Sequence, residues 1–209
     1  MQIYNYIKDK IVFCDFMPGS VISEEDICKE FGVSRTPVRE ALMELEKEEY
    51  VNIMPRKSTK VSKISLKDIN EIIQARLLIE IYILRSITEP LSEEFRNNLI
   101  SMRNRFDDVS KMDGKNHLKL LLQMDFEFHS SLAALCTNNH LVRFLQELLK
   151  KSIRQWCLMF ANTDRRMHES IGEHESIIDA LLENDFEGAA KKLELHIKAF
   201  YDMIFIINE

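Results

Sequence analysis

The chain has few of the residues that interrupt regular structure, since only five of its 209 residues are glycine and four are proline. This scarcity disfavours a β fold with many tight turns and favours long helices. The cysteines are scattered and include no C-x-x-C pair; they are Cys14, Cys28, Cys136 and Cys157. Such spacing disfavours a zinc ribbon or a disulfide framework and predicts reduced, mostly buried thiols in a cytosolic protein.

Long apolar runs are also missing. No segment approaches the roughly 20 apolar residues that span a bilayer, and the first ten residues mix charged and apolar side chains, unlike a signal peptide. We therefore expect a cytoplasmic protein without a membrane partner. The net charge of −6 by itself argues against nucleic acid. Its distribution weakens that argument, because no acid lies between Tyr50 and Lys67, a segment that holds Arg56, Lys57, Lys60 and Lys63.

Two short helices joined by a tight turn are predicted near the N-terminus. Ser23 is the expected N-cap of the first, and Gly32 is expected to end it in a left-handed conformation. Ser34 then caps a helix that runs to about Glu48, with Pro37 in its first turn, where a missing N–H is tolerated. A turn this short between two helices predicts a helix-turn-helix.

The second of these helices has an apolar face and a polar face. Arg35, Thr36 and Arg39 lie on the polar face near the helix N-terminus, where arginine can read guanine in a DNA major groove. The alternative is an ordinary solvated face. Two short strands around a basic tip should follow as a wing for phosphate or minor-groove contact. The predicted DNA-binding residues are Ser34, Arg35, Thr36, Arg39, Arg56, Lys57 and Lys60.

Six helices are predicted for the rest of the chain, at roughly 66–88, 92–110, 115–136, 139–161, 164–183 and 185–207. The fold class is therefore mainly α, with a winged helix-turn-helix over residues 1–63 and an all-α six-helix bundle over residues 64–209. A bundle of this kind serves as a simple dimerisation module if its core is apolar throughout.

Polar residues interrupt the apolar faces of three of these helices. Asp125 and His129 share a face one turn apart, and His174 and His196 each lie on the apolar face of a later helix. A single inward histidine is more often a satisfied core residue, but four such groups are most economically satisfied by a shared divalent ion. Three nitrogens and one oxygen suit Zn²⁺ first, or Ni²⁺ or another first-row ion. The remaining histidines are expected at the surface; they are His117, His140 and His168.

Residues 31–42, FGVSRTPVREAL, together with the Met17-Pro18-Gly19 turn, resemble the DNA-binding domain of the GntR superfamily of bacterial regulators over residues 1–62. The resemblance implies that Arg35 and Arg39 are the principal DNA contacts, with Ser34 and Thr36 near phosphates. The chain departs from the family where Cys14 replaces a usual glycine. It also departs at the wing tip, where Ser58-Thr59 stands in place of another glycine.

The spacing of the four inward polar residues, with Glu173 before His174, matches the FCD-type effector domain of the FadR-like subgroup. That likeness implies that all four are metal ligands beside a cavity for a small carboxylate effector. Arg76 also faces inward. There its planar guanidinium either binds the effector carboxylate in a bidentate manner or forms a buried salt bridge to an acid such as Glu80. Arg154 is a second candidate for the same pocket.

These observations predict a homodimeric repressor that binds double-stranded operator DNA under the control of a small carboxylate effector. The protein would bind a metal ion and would have no catalytic residues. Two alternatives stay open: a metal-dependent enzyme that uses the same aspartate and histidines, and a metal sensor in which the ion is the signal.

Overall fold

A computed structural model of the chain describes residues 2–55, 57–112, 115–160 and 164–206. The chain divides into two compact units, residues 1–65 and residues 66–209. Within the described ranges, no helix combines the length and apolar character that crossing a membrane would need.

The first unit contains three helices and a small sheet. Its elements are α1 (Gln2–Val12), β1 (Val21–Ile22), α2 (Glu24–Phe31), α3 (Arg35–Lys47), β2 (Val51–Met54) and β3 (Ser58–Val61). The strands are antiparallel in the order β1-β3-β2. Apolar side chains of all three helices and of the sheet are buried between them, among them Ile7, Ile27, Val38, Leu42 and Val61. The predicted winged helix-turn-helix is confirmed, with β1 as an additional strand that the sequence did not predict.

The turn between α2 and α3 forms as its sequence predicts. Ser23 Oγ accepts a hydrogen bond from the Asp26 amide, and Gly32 adopts a left-handed conformation with φ of 63°. Ser34 occupies the N-cap position of α3, but its side chain makes no capping hydrogen bond. The tight turn is therefore formed by the left-handed Gly32, whose amide donates to the Cys28 carbonyl, and the Ser34 hydroxyl is not engaged in capping α3.

The tip of the wing differs from the prediction. Thr59 is buried and pairs with Ile53 of β2 and with Ile22 of β1, while Ser58 pairs with Met54. Strand β2 therefore ends at Met54 and β3 already begins at Ser58, so the expectation that Ser58-Thr59 forms the tip was wrong. The β-branched Thr59 fits a central, half-apolar strand position better than an exposed turn.

The second unit is the expected all-α bundle. Its helices are α4 (Leu66–Arg85), α5 (Glu93–Ser110), α6 (Lys115–Ala133), α7 (Asn139–Phe160), α8 (Asp164–Leu182) and α9 (Phe186–Ile206). Helix α9 packs against both α4 and α8, α4 also packs against α7, and α6 packs against α7 and α5. These contacts bring α4, α6, α8 and α9 together around one part of the core.

The remaining histidines and the cysteines differ in their burial. His117 is buried, so its assignment to the surface was wrong, whereas His140 and His168 are exposed. Of the cysteines, Cys14 is buried, and Cys28 and Cys136 are partly buried; the Cys157 side chain lies outside the described part of the chain. Cys14 has a positive φ of 56°, which accounts for the glycine that the resembled family usually has there.

Candidate functional site

The bundle core brings four predicted ligand residues into one cluster. Helix α6 supplies Asp125 and His129, α8 supplies His174 and α9 supplies His196. One donor atom from each residue lies within 4.8 Å of the others, and all four residues are buried. Their faces meet because α6, α8 and α9 each turn an apolar stripe towards the core, and these side chains interrupt those stripes.

The donor atoms approach one another closely. Asp125 Oδ1 lies 3.6 Å from His129 Nε2, 3.2 Å from His174 Nε2 and 3.8 Å from His196 Nε2. His129 Nε2 and His196 Nε2 are 3.3 Å apart. The three imidazoles thus point the same ring nitrogen, Nε2, towards a single carboxylate oxygen.

The opposite nitrogen of each imidazole is held by an oxygen acceptor. His129 Nδ1 lies 2.5 Å from Glu80 Oε2, and His196 Nδ1 lies 2.7 Å from Glu173 Oε2. His174 Nδ1 lies 2.7 Å from the backbone carbonyl of Ser170. A carbonyl or an ionised carboxylate only accepts, so each Nδ1 donates, and each neutral ring presents a lone pair at Nε2.

With all three rings in this neutral form, the resulting centre has acceptors but no donor. Three Nε2 lone pairs and the Asp125 carboxylate face one another, and His174 Nε2 has no hydrogen-bond partner among the described residues. Such a set is costly to bury unless a cation fills it. Three imidazole nitrogens and one carboxylate oxygen, each oriented by an outer oxygen partner, fit a first-row divalent ion of the zinc type.

Electrostatics within the cluster favour an ionised Asp125 and a neutral His174. Burial would raise the pKa of Asp125, but the positive charge that His129 carries when it is protonated, together with the nearby imidazoles of His174 and His196, brings this pKa well below its ordinary value. Burial, together with the charge of neighbouring His196, lowers the pKa of His174 to about 4. Both are the protonation states that a metal ligand needs.

Two arginine–glutamate pairs support the cluster from outside. Arg76 Nε donates to Glu80 Oε1 over 2.7 Å, so Glu80 bridges Arg76 and His129. Although burial would raise the pKa of Glu80, the charges of Arg76 and His129 lower it to about 2. On the other side, Arg166 holds Glu173 through two bonds of 2.8 Å. These supports keep both glutamates ionised and their histidines fixed.

Arg76 retains unused donors. It is fully buried, and its guanidinium carbon lies 5.5 Å from the centre of the Trp156 ring. Its Nη1 and Nη2 have no hydrogen-bond partner among the described residues. The salt bridge to Glu80 is therefore present, yet it uses only one of the three guanidinium nitrogens. The other two form the planar fork that binds a carboxylate in a bidentate manner.

Arg154 is buried on α7, the helix that also carries Trp156. Its place in an effector pocket remains a prediction. The sequence did not indicate Arg166 or the role of Trp156. Arg166 lies seven residues before Glu173, two helical turns away on the same side of α8, and this spacing is the signal that would have found the pair.

The predicted DNA-contacting residues lie on the first unit. Ser34, Arg35, Thr36 and Arg39 are exposed at the start of α3. Lys57 and Lys60 are exposed on the wing, the β2–β3 hairpin, and Arg56 lies outside the described residues. Arg39 and Lys57 line the same concave surface between α3 and the wing. The fold thus presents basic groups from both elements to one groove.

Arg39 already has a carboxylate partner. Its Nε lies 3.0 Å from Glu24 Oε2, while the arginine side chain stays 61% exposed. An exposed ion pair of this kind contributes little to stability. Replacing the contact between Arg39 and Glu24 by a contact with a base or a phosphate therefore costs little free energy. Glu24 keeps the guanidinium near the groove in the protein without DNA.

Comparison with known protein families assigns each of the two units to a family. The family described as "FCD domain" matches residues 71–199, and the family described as "Bacterial regulatory proteins, gntR family" matches residues 1–61. Both belong to transcription regulators, so the metalloenzyme alternative receives no support.

Several relatives match over nearly the full chain. An uncharacterised HTH-type transcriptional regulator of Bacillus subtilis, YdhC, is 26% identical over 94% of this chain and 86% of its own length. The HTH-type transcriptional repressor RspR of Escherichia coli is 25% identical over 100% of this chain and 90% of its own. The solved structure of E. coli McbR/YncC is 18% identical, covers 100% of this chain and 97% of its own, and superposes with a TM-score of 0.84. This last likeness concerns the fold alone.

Proposed function

Because the chain belongs to the GntR family of bacterial DNA-binding transcription regulators, in the group with an FCD domain, we propose that it is a homodimeric repressor controlled by a metal-bound carboxylate. Residues 1–63 would bind operator DNA, and residues 64–209 would bind the effector and dimerise. The proposal places the protein in the cytoplasm, where operator DNA lies. One relative, RspR of E. coli, carries the name of a repressor, which supports the direction of control.

The proposed control by an effector rests on one observation: two sites in the bundle core each lack hydrogen-bonding or charged partners. With neutral rings, the Asp125–His129–His174–His196 cluster has acceptors without a donor, and Nη1 and Nη2 of Arg76 beside it find no acceptor among the described residues. A metal ion supplies the missing positive charge to the first site. A carboxylate effector would give Arg76 Nη1 and Nη2 the acceptors that the second site lacks.

In this proposal the chain's own residues have distinct roles. The three imidazoles and Asp125 hold Zn²⁺, or Ni²⁺ or another first-row ion, which supplies a Lewis-acidic position for an anionic oxygen. Arg76 orients the effector, with Arg154 as a second candidate contact. Effector binding shifts the preference of the dimer between two states of different operator affinity, by an amount set by its differential affinity for those states.

Operator binding is tested with Arg39→Ala. The dissociation constant is measured for the duplex that the wild-type chain selects from a random-sequence pool. Loss of a bidentate guanine contact costs about 1–3 kcal/mol, so the dissociation constant should rise roughly 10- to 100-fold. Lys47→Ala, at the far end of α3, is the matched control and should change it little. Unchanged affinity in Arg39→Ala would remove this residue from the DNA contact set.

Regulation by an effector is tested in two steps. The metal content of the chain is measured first, and then the release of operator DNA by a panel of mono-, di- and tricarboxylates. We expect one ion per chain and release by some panel members. Arg76→Lys keeps the charge but loses the fork, so it should retain the ion and lose the response to the carboxylate. If operator binding instead follows metal concentration with no response to any carboxylate, the chain is a metal sensor and the effector proposal fails.

A further inference from the structure

Helix α4 carries an apolar patch at its surface. Leu78 is 76% exposed and Tyr82 is 56% exposed, and Leu195 on the adjacent helix α9 is 69% exposed. Large apolar side chains grouped in this way mark an interaction surface more often than single exposed ones do. The patch lies beside a groove between α4 and α9, lined by Leu77, Leu78, Ile81, Tyr82, Arg85, Glu194 and Lys198.

Between Glu71 and Arg85 the exposed residues of α4 follow a symmetric order. Glu71, Gln74, Leu78, Tyr82 and Arg85 are all exposed, at successive spacings of three, four, four and three residues. We call this line the α4 stripe. Helical spacings of three and four place its members along one face. The stripe is centred on Leu78, and it reads with the same spacing from either end.

Such a stripe is complementary to a second copy of itself that runs antiparallel. About a two-fold axis at Leu78, Gln74 faces Tyr82 of the other copy, and Glu71 faces its Arg85. The acid therefore meets the base, and symmetry repeats each pair. With a rise of 1.5 Å per residue, the stripe is about 21 Å long, and its apolar residues lie at the centre with the charges at the rim, as in protein interfaces generally.

The charged ends are free enough to take part. The Glu71 side chain is 60% exposed, and its ion pair with Lys67 is long at 3.7 Å. The Arg85 side chain is 49% exposed and is held at the surface by Glu187, whose oxygens lie 2.9 and 3.1 Å away. Glu187 thus positions Arg85 at the end of the stripe without burying it.

We propose that two copies of this chain pair through the α4 stripe, antiparallel, with Leu78 on the two-fold axis. A closed two-fold contact uses the same patch on both subunits, so it requires the self-complementarity that the stripe has. This inference rests on the proposed function only for the statement that the chain is a homodimer; it adds the surface, the direction and the register.

Sedimentation equilibrium of the full-length chain without DNA gives the first test. We expect a dimer for the wild type. Leu78→Glu places two carboxylates against each other at the axis, and like charges facing across an interface should raise the dimer dissociation constant by about 100-fold or more. Phe144→Glu replaces an apolar side chain of α7 that is 57% exposed, and this matched control should remain dimeric.

Charge reversal tests the register and does not depend on Leu78. Glu71→Arg alone and Arg85→Glu alone each bring like charges together, so each should weaken the dimer by roughly tenfold. All three variants are made in a Glu187→Gln background, which removes the carboxylate that would repel an acid at position 85 within the same chain. The double variant then restores opposite charges across the interface with their positions exchanged and should recover most of the affinity. A double variant as weak as the single variants would overturn the antiparallel pairing, and thermal unfolding of each variant checks that it is folded.

Two other results would overturn the proposal. A wild-type chain that sediments as a monomer leaves the stripe to a different partner, and a Leu78→Glu chain that dimerises like the wild type places the interface elsewhere. Neither measurement uses DNA, metal or effector. Failure here is therefore distinguishable from failure of the Arg39 and Arg76 tests.

Discussion

Each histidine of the metal cluster is oriented by one oxygen atom beyond the ligands. Glu80 and Glu173 hold His129 and His196 at Nδ1, and the Ser170 carbonyl holds His174. Such partners fix the tautomer and the direction of the lone pair, and they typically change metal affinity by about 10- to 100-fold. In the proposed metal site, the affinity would therefore depend on residues of α4 and α8 as well as on the four candidate ligands.

Glu80→Gln should weaken metal binding by about 10- to 100-fold. Arg76 Nε and His129 Nδ1 donate to different oxygens of Glu80. In glutamine one of these oxygens becomes an NH2 donor that faces another donor, and the carboxylate charge opposite Arg76 is lost. The dissociation constant for Zn²⁺ is measured by competition with a chelating dye. Glu127→Gln, an exposed acid on α6 that pairs with Arg105, is the control. Equal affinity in Glu80→Gln and wild type would show that Glu80 does not position His129.

The metal-free chain should lose stability as the pH falls from about 6.5 to 4. Burial lowers the folded-state pKa of His174 to about 4, against roughly 6.5 for an unfolded histidine. Between these values the unfolded state binds the extra proton, so acidification favours unfolding, by on the order of 1–3 kcal/mol. Urea unfolding in chelator across this window measures the change.

His129 acts with the opposite sign. Burial would lower its pKa, but the charge of Glu80 raises it, so its contribution is present at low pH and is lost as the pH rises through the folded-state value. His174→Gln should therefore flatten the acid side of the profile and leave any alkaline decline in place. An unchanged acid slope in this variant would assign the slope to other groups.

Residue types on helix faces were predictable from the sequence, but their partners were less so. The spacing of Asp125 and His129 is local, and it placed both on an inward face. The burial of His117 was missed because it depends on how α6 packs against other helices, which no local pattern records. The Arg76–Glu80 pair is local, at a spacing of four, and it was one of the two expected arrangements.

At the scale of elements, helices were easier to predict than strands. The six bundle helices agree with the predicted ranges to within three residues at each end, because apolar periodicity persists over many turns. Strand β1 has two residues and forms only through pairing with β3, so its own sequence carries no periodic signal. The wing tip was misplaced for the same reason, since register decides which residues pair.

The end of α3 contains a removable strain. Glu49 is exposed and follows the helix with a φ of 64°, a conformation that costs a residue with a Cβ about 1–2 kcal/mol. Glu49→Gly should therefore stabilise the first unit by about 1 kcal/mol, measured by urea unfolding. Glu40→Gly lies inside α3 and should lose about 1 kcal/mol. A destabilised Glu49→Gly chain would show that the Glu49 side chain outweighs the strain.

At the scale of the whole molecule, the metal cluster connects parts of the chain that are distant in sequence. Its ligands lie on α6, α8 and α9, and Glu80 adds α4 through a hydrogen bond. One ion bound there, as we propose, would therefore fix α4, α6, α8 and α9 relative to each other. A change at this centre would then reach the bundle as a shift between discrete packing arrangements, since close-packed cores are not continuously deformable.

Removal of the metal should destabilise the bundle more than any single surface change. An ion that binds only the folded state stabilises it by about 4 kcal/mol at a free concentration 1,000 times its dissociation constant, which corresponds to a rise in Tm of roughly 10 °C for a unit of this size. Calorimetry in chelator and then in excess Zn²⁺ measures the difference. His196→Ala should abolish it, whereas His168→Ala, at an exposed position of α8, should retain it. A Tm that is the same with and without Zn²⁺ would mean that the cluster is a hydrogen-bonded core and that control by a metal-bound effector fails with it.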